Sequence, residues 1–183
     1  LLLAFAPLAA HAAICRADSP ELVALTLASD GKPAATIVTA QQPTRAAQFA
    51  AYELQWHLKQ ITGGDFRIVT EDQPIDGVAI LVGDSGRAHA LKIHPEQFAK
   101  QEYLIRFAPD TLVLAGRDKD DRGAVQYTHT PDQQALNTWP GIWDEQGTMY
   151  AVYDFLERYC SVRWFNPTQF GTDCPKQPTL TVT

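Results

Sequence analysis

The chain has 183 residues, the size of one domain, with 45% hydrophobic and 20% charged residues. That composition excludes a disordered tail, a collagen-like rod and a coiled coil. Twenty-one acids against 15 bases give a net charge of -6, which leaves no electrostatic case for binding nucleic acid or an anionic membrane. Three cysteines are too few for a disulfide-built mini-protein.

The chain opens on an apolar run, Leu1 to Ala12, ending Ala10-His11-Ala12. It is too short to span a bilayer, and small residues flank His11 as at a signal-peptidase site. Residues 1–12 are therefore read as most of a secretory signal, and the mature protein is expected to be secreted or periplasmic, with no membrane span. Cys15 is not read as a lipidation site, because Ile14 stands where a small residue is needed. Residues 13–32 read as an N-terminal linker and strand, and 33–183 as one domain.

Glu21–Ala28 and Ala35–Ala40 alternate and are rich in β-branched residues, with Asp30-Gly31 as a turn between them. They are expected to form a hairpin or two adjacent strands. A helix is expected over 44–62, with Ala47, Ala50, Leu54, Leu58 and Ile61 on one face. Pro43 suits its start and Gly63-Gly64 its stop. Phe66–Thr70 reads as a short strand. Val78–Val82 is a continuous apolar run, the pattern of a central strand covered on both faces. Gln101–Ala115 reads as a hairpin turning at Pro109-Asp110.

Arg117 to Gly147 shows no period and is expected to be a long loop, of the kind that carries function. A second helix is expected over 148–159, burying Met149, Val152, Leu156 and Tyr159 and capped by Gly147 or Thr148. Val162–Phe165 and Leu180–Val182 read as strands. The fold class is α/β (α+β): a single mixed sheet packed against two main helices, with Leu54, Leu58, Val152, Phe155 and Leu156 in the core.

Few residues carry chemistry. Gly83-Asp84-Ser85-Gly86 follows the central strand. A serine nucleophile needs an adjacent base. No Asp-x-x-His follows, so a tight turn is expected, and a small serine esterase using Ser85 is the weaker alternative. The histidines show no metal-ligand spacing. Asp118-Lys119-Asp120-Asp121 fails as a calcium loop, since His129 stands at the closing position, and is read as solvated. No cofactor is expected. Trp139, Trp143 and Asp144, within the long loop, are the candidate carbohydrate or domain contacts. Trp143 is expected to pack inward and anchor the loop, and Trp139 to be the more exposed.

Four segments resemble a non-catalytic domain that precedes the catalytic barrel of bacterial alpha-glucuronidases and is similar to the N-terminal domain of beta-hexosaminidases. It also heads large secreted bacterial proteins of uncharacterised function. They are Ala46–Gln55 running to Ile61–Gly64; Ile80–Ser85; Glu102–Arg106 with Leu112–Asp118; and Gly147–Glu157 continuing through Val162–Phe165 to Gly171-Thr172 and Pro175-Lys176. The last is the most specific, and the insertion around Gly123 to Gln146 departs from the pattern. The resemblance implies a beta-hexosaminidase N-terminal-domain-like fold and an accessory role in a secreted glycoside hydrolase. The partner would be a catalytic domain downstream of residue 183, with an oligosaccharide or polysaccharide as ligand. No catalytic residue transfers to this chain. The alternative is a free-standing extracytoplasmic glycan- or protein-binding module. An oxidising compartment favours paired thiols. Pro167 and Gly171 suit bends between Cys160 and Cys174, which are expected to form a disulfide, with Cys15 free.

Overall fold

The structure is a computed structural model that describes residues 23–166 and 171–183. The signal reading of 1–12, Cys15, the start of the first expected strand and Pro167 lie outside the described residues.

The class is mixed α/β, built on a five-stranded sheet. In chain order the elements are β1 (Leu25–Ser29), β2 (Lys32–Pro33), β3 (Ala35–Thr39), α1 (Arg45–Thr62), β4 (Ile68–Thr70), β5 (Val78–Val82), α2 (Gly86–Ala90), a 3₁₀ turn at Pro95–Gln97, β6 (Tyr103–Ala108), β7 (Thr111–Gly116), α3 (Gln133–Leu136), α4 (Gly147–Cys160), β8 (Arg163–Trp164), β9 (Thr172–Asp173) and β10 (Leu180–Val182). The main sheet runs β4-β3-β5-β7-β6. Its first four strands are parallel, and β6 pairs antiparallel with β7. A second sheet, β10-β1-β2, and a ribbon, β8-β9, accompany it, so the expected single sheet is one large and two small ones.

The first two strand-like runs do not pair with each other. Asp30 and Gly31 both take positive φ, 50° and 77°, the geometry of a tight hairpin turn. The turn folds β1 back onto β2, with Ala28 opposite Pro33. The ladder runs one bond past Pro33, the Ala34 amide donating to the Leu27 carbonyl at 2.8 Å, and the chain then passes into β3 of the other sheet. The far edge of β1 is closed by β10, with Leu25 opposite Val182.

β5 sits between β3 and β7, as its unbroken apolar run suggests. Side-chain alternation divides the sheet between two cores. Ile37, Ile80, Val82, Leu112 and Leu114 face the larger one, with Leu54, Leu58, Ile61, Val152, Phe155 and Leu156 from α1 and α4. Val38, Leu81, Val113 and Ala115 face the smaller one, which Ala88 of α2 and Ile93 help to cover.

α1 begins where the Thr44 hydroxyl accepts from the Ala47 amide at 3.1 Å and stops at Gly63, in the left-handed region at φ 83°. α4 starts one residue before the expected position and lacks a side-chain cap of its own at Gln146. Asp118 supplies the missing acceptor, taking the Thr148 amide at 2.9 Å. The start of α4 lies directly on the end of β7. A Cβ on Gly116 would stand 2.5 Å from the carbonyl carbon of Gly147, so only glycine permits that approach.

Candidate functional site

The geometry begins with a second face of α1. Beside its apolar stripe, Arg45, Gln48, Phe49, Tyr52, Glu53 and Trp56 recur at helical spacing, and the chain after β7 runs along them. The Arg45 guanidinium donates to Asp121 at 3.0 Å. Gln48 donates to the Gly123 carbonyl and accepts from the Val125 amide. Tyr127 stacks on Tyr52 with centroids 5.2 Å apart and meets Phe49 edge-on at 5.4 Å. His129 reaches Trp56 at 4.7 Å. The long aperiodic segment is thus an ordered strap on α1.

Beside the middle of the strap, at His129, α1, α4 and the β8-β9 ribbon enclose an open cleft of about 980 Å³. Glu53, Trp56 and His57 of α1, Tyr153 of α4, His129 of the strap and Trp164 of β8 line it, with Gln60, Thr130, Asn166 and Thr172 supplying further polar groups. The Glu53 side chain in this lining is 15% exposed. One carboxylate oxygen accepts from the Tyr127 hydroxyl at 2.6 Å and the other from the Tyr153 hydroxyl at 3.1 Å. Burial, reinforced by the neighbouring carboxylate, pushes both phenols above the ordinary tyrosine range, so both act as donors.

His57 is buried against this wall, its ring edge-on to Trp56 at 4.7 Å and to Trp164 at 5.5 Å. Its Nδ1 lies 2.8 Å from the Glu53 carbonyl oxygen. A carbonyl only accepts, so Nδ1 carries the hydrogen and Nε2 is left with a lone pair. The Glu53 carboxylate, 3.8 Å from Nδ1, favours protonation. Burial outweighs it and holds the imidazole below its ordinary range. Nε2 is buried with no hydrogen-bond partner.

The residues singled out from sequence lie elsewhere. Trp139 and Trp143 exchange the expected roles. Trp139 is half-buried on α1, 4.7 Å from the Phe49 ring, and its indole N–H donates to the Gln126 carbonyl at 2.9 Å. Trp143 is 91% exposed, beside Ile142 at 79%. The cause is local. α3 returns the chain to α1 just before Trp139, and the turn after Pro140 then projects Ile142 and Trp143 outward. Asp144 holds that turn: its amide donates to the Gly141 carbonyl at 2.8 Å, and its carboxylate accepts from the Gly141 amide and the Lys119 ammonium. Asp144 therefore has a structural task.

Asp118 departs from the solvated reading of its segment. It accepts from the Thr44 hydroxyl as well as from the Thr148 amide, and burial pushes its carboxyl above the ordinary carboxylate range despite those bonds. Asp120, with its side chain 82% exposed, fits that reading. Ser85 is 4% exposed and caps α2, accepting from the Ala88 amide at 3.2 Å. The nearby imidazole, His89, is engaged with Asp84 at 2.5 Å, and among the described residues no histidine nitrogen bonds to the Ser85 hydroxyl. Cys160 and Cys174 stand as free thiols in the structure. They share the larger core, and burial, with a smaller contribution from Cys174, pushes the Cys160 thiol up to about 12.

Among the described residues, no cluster of three or more histidine, cysteine or acidic residues could hold a metal ion. No described helix is long and apolar enough to cross a membrane. The chain matches no protein-family model and no curated protein.

The cleft was missed because the sequence distributes it over four distant segments. One signal was available: Phe49, Tyr52 and Trp56 stand at 3- and 4-residue spacing outside the apolar stripe of α1. A helix with a second, aromatic face has something to cover that face or to bind there.

Proposed function

We propose that this chain is a non-catalytic glycan-binding module of an exported carbohydrate-active protein, acting beside a catalytic domain of the same protein. One observation carries the reading: an open cleft of about 980 Å³ lined by Trp56, Trp164 and Tyr153, with the Glu53 carboxylate held in it by two tyrosine hydroxyls. Indole and phenol rings offer flat apolar area at little entropic cost, while a positioned carboxylate and surrounding amides and hydroxyls give direction to hydroxyl-bearing ligands. The resemblance of the α1 and α4 segments to domains that precede glycosidase barrels points the same way.

A non-catalytic role is supported by the engagement of Ser85 as a cap and by Glu53 being the one carboxylate among the described lining residues of the cleft. Glycosidic hydrolysis generally uses a pair. The projecting Ile142–Trp143 knuckle favours a contact with another domain on a separate face.

The test is titration of the purified chain with a panel of oligosaccharides, followed by tryptophan fluorescence and calorimetry. Saturable binding that is lost in Trp56→Ala supports the reading. No response to any member of the panel refutes it.

A further inference from the structure

The cleft has a charge imbalance that specifies its ligand more narrowly. Glu53 carries a carboxylate that is largely removed from solvent. An ionised carboxylate offers about four lone-pair sites, and the two tyrosine hydroxyls each take one. No lysine or arginine is among the lining residues or paired with Glu53 among the described residues. Lys176, near the rim, gives its ammonium to the Gln60 carbonyl at 2.5 Å. Of the two imidazoles in the lining, His57 is pushed below its ordinary range by burial, while His129 lies against Trp56 and the Tyr127 hydroxyl rather than on the carboxylate. A desolvated carboxylate without a cation is costly.

The aromatic part of the lining has the same sign. Trp56, Trp164 and Tyr153 surround the cleft, and their ring faces are electron-rich. Tyr153 and Trp164 meet edge to face at 89°, with centroids 5.5 Å apart, so two aromatic planes stand at right angles. His57 Nε2, itself shielded from solvent, adds an unpartnered lone pair to the field around the cleft. Carboxylate, ring faces and imidazole nitrogen all attract a cation or a strong donor.

We propose that the cleft binds a glycan through the protonated amino group of a de-N-acetylated hexosamine, which Glu53 pairs with and Trp56 and Trp164 flank. This rests on the glycan-binding reading and narrows its ligand class. The cleft exceeds what an ammonium group alone fills, and its polar rim at Gln60, Thr130, Asn166 and Thr172 suits the hydroxyls of the sugar that carries it. A uronic acid would place a second carboxylate beside Glu53 and is disfavoured by like-charge repulsion.

The experiment compares three probes by calorimetry on the intact chain at mildly acidic pH: a chitosan oligosaccharide, its fully N-acetylated counterpart and an oligogalacturonate. The chitosan oligosaccharide is expected to bind about tenfold or more tighter than the acetylated form, and progressively weaker as salt rises. Glu53→Gln, checked for native circular dichroism, is expected to reduce that preference to about twofold or less. If Glu53→Gln does not fold, the wild-type salt dependence and Trp56→Ala decide the matter. Equal binding of the free-amine and acetylated forms overturns this inference and leaves the glycan-binding reading standing. Binding of the oligogalacturonate as tightly as the chitosan oligosaccharide does the same. No binding of any probe overturns both. Preferential binding of oligolysine also overturns the inference, since the recognised amine would then belong to a peptide.

Discussion

The Thr44 hydroxyl donates to the Asp118 carboxylate at 2.9 Å across 74 residues of chain. The same carboxylate accepts the Thr148 amide, so one side chain joins the N-terminal ends of the two main helices. Thr44 also caps α1 through Ala47. Asp118→Ala leaves a hydroxyl and a helix-end amide without their acceptor and is expected to cost ~1–3 kcal/mol by the usual penalty for orphaned buried groups. Chemical denaturation measures it.

Asp118 also predicts an unusual pH response. Its carboxyl is raised above the ordinary range, with burial as the largest cause. Between the unfolded and the raised folded value, the folded state binds more protons than the unfolded state. Stability contributed by this group therefore falls as pH rises through that window. Relative to Asp118→Asn, the wild type should gain thermal stability on acidification from neutral pH into the window. Parallel melting curves across mildly acidic pH test this, and the opposite slope would contradict it.

Leu156 is fully buried between α4 and the sheet, in the same core as Leu54 and Leu58. Leu156→Ala is expected to destabilise the chain by ~2–5 kcal/mol through lost burial and the residual cavity. Denaturant midpoints measure the loss.

Gly83 directly follows β5 at φ 81°, and a Cβ there would stand 2.6 Å from the Cβ of Ala47. Gly83→Ala combines an unfavourable left-handed backbone with a collision against α1. The backbone alone costs ~1–2 kcal/mol, and the collision adds to it. The expected result is a lowered melting temperature with the helical signal retained below it. A neutral outcome would show that α1 can shift at its first turn.

The two tryptophans of the strap give an optical test. Trp143→Phe should remove a red-shifted, iodide-quenchable component and change stability by ~0.5 kcal/mol or less, as surface substitutions do. Trp139→Ala should cost more, about 2 kcal/mol, since it takes away the ring packed on Phe49. Equal costs would contradict the placement of the two rings.

Cys160 is buried and Cys174 half-buried. An alkylating reagent should label Cys174 in the native chain and Cys160 only after unfolding, since the thiolate is the reactive form. We further predict that oxidation joins the two as a disulfide, read by peptide mapping without reductant. Failure of the linked peptide to appear after oxidation retires the pairing.

Sequence by itself determined the elements whose signals are local. The apolar spacing from Ala47 to Ile61 with Gly63 behind it, the unbroken run Val78–Val82, and the hairpin turning at Asp110 each specify their own geometry through burial period or backbone preference. The two long helices and the central strand followed directly. Tertiary structure decided everything that depends on partners remote in the chain. It closed β1 with β10 rather than β3, because the Asp30-Gly31 turn laid β2 along one edge of β1 and left the other to β10. It buried Asp118 because both helix ends needed an acceptor at one point. It turned Trp139 inward and Trp143 outward, because the second face of α1 offered Phe49 to the first ring and the Pro140 turn carried the second away. The Glu53 cleft belongs to this group: its carboxylate, its two phenols, its indoles and its lone imidazole nitrogen come from α1, the strap, α4 and β8. No local period encodes a meeting of residues separated by a hundred positions.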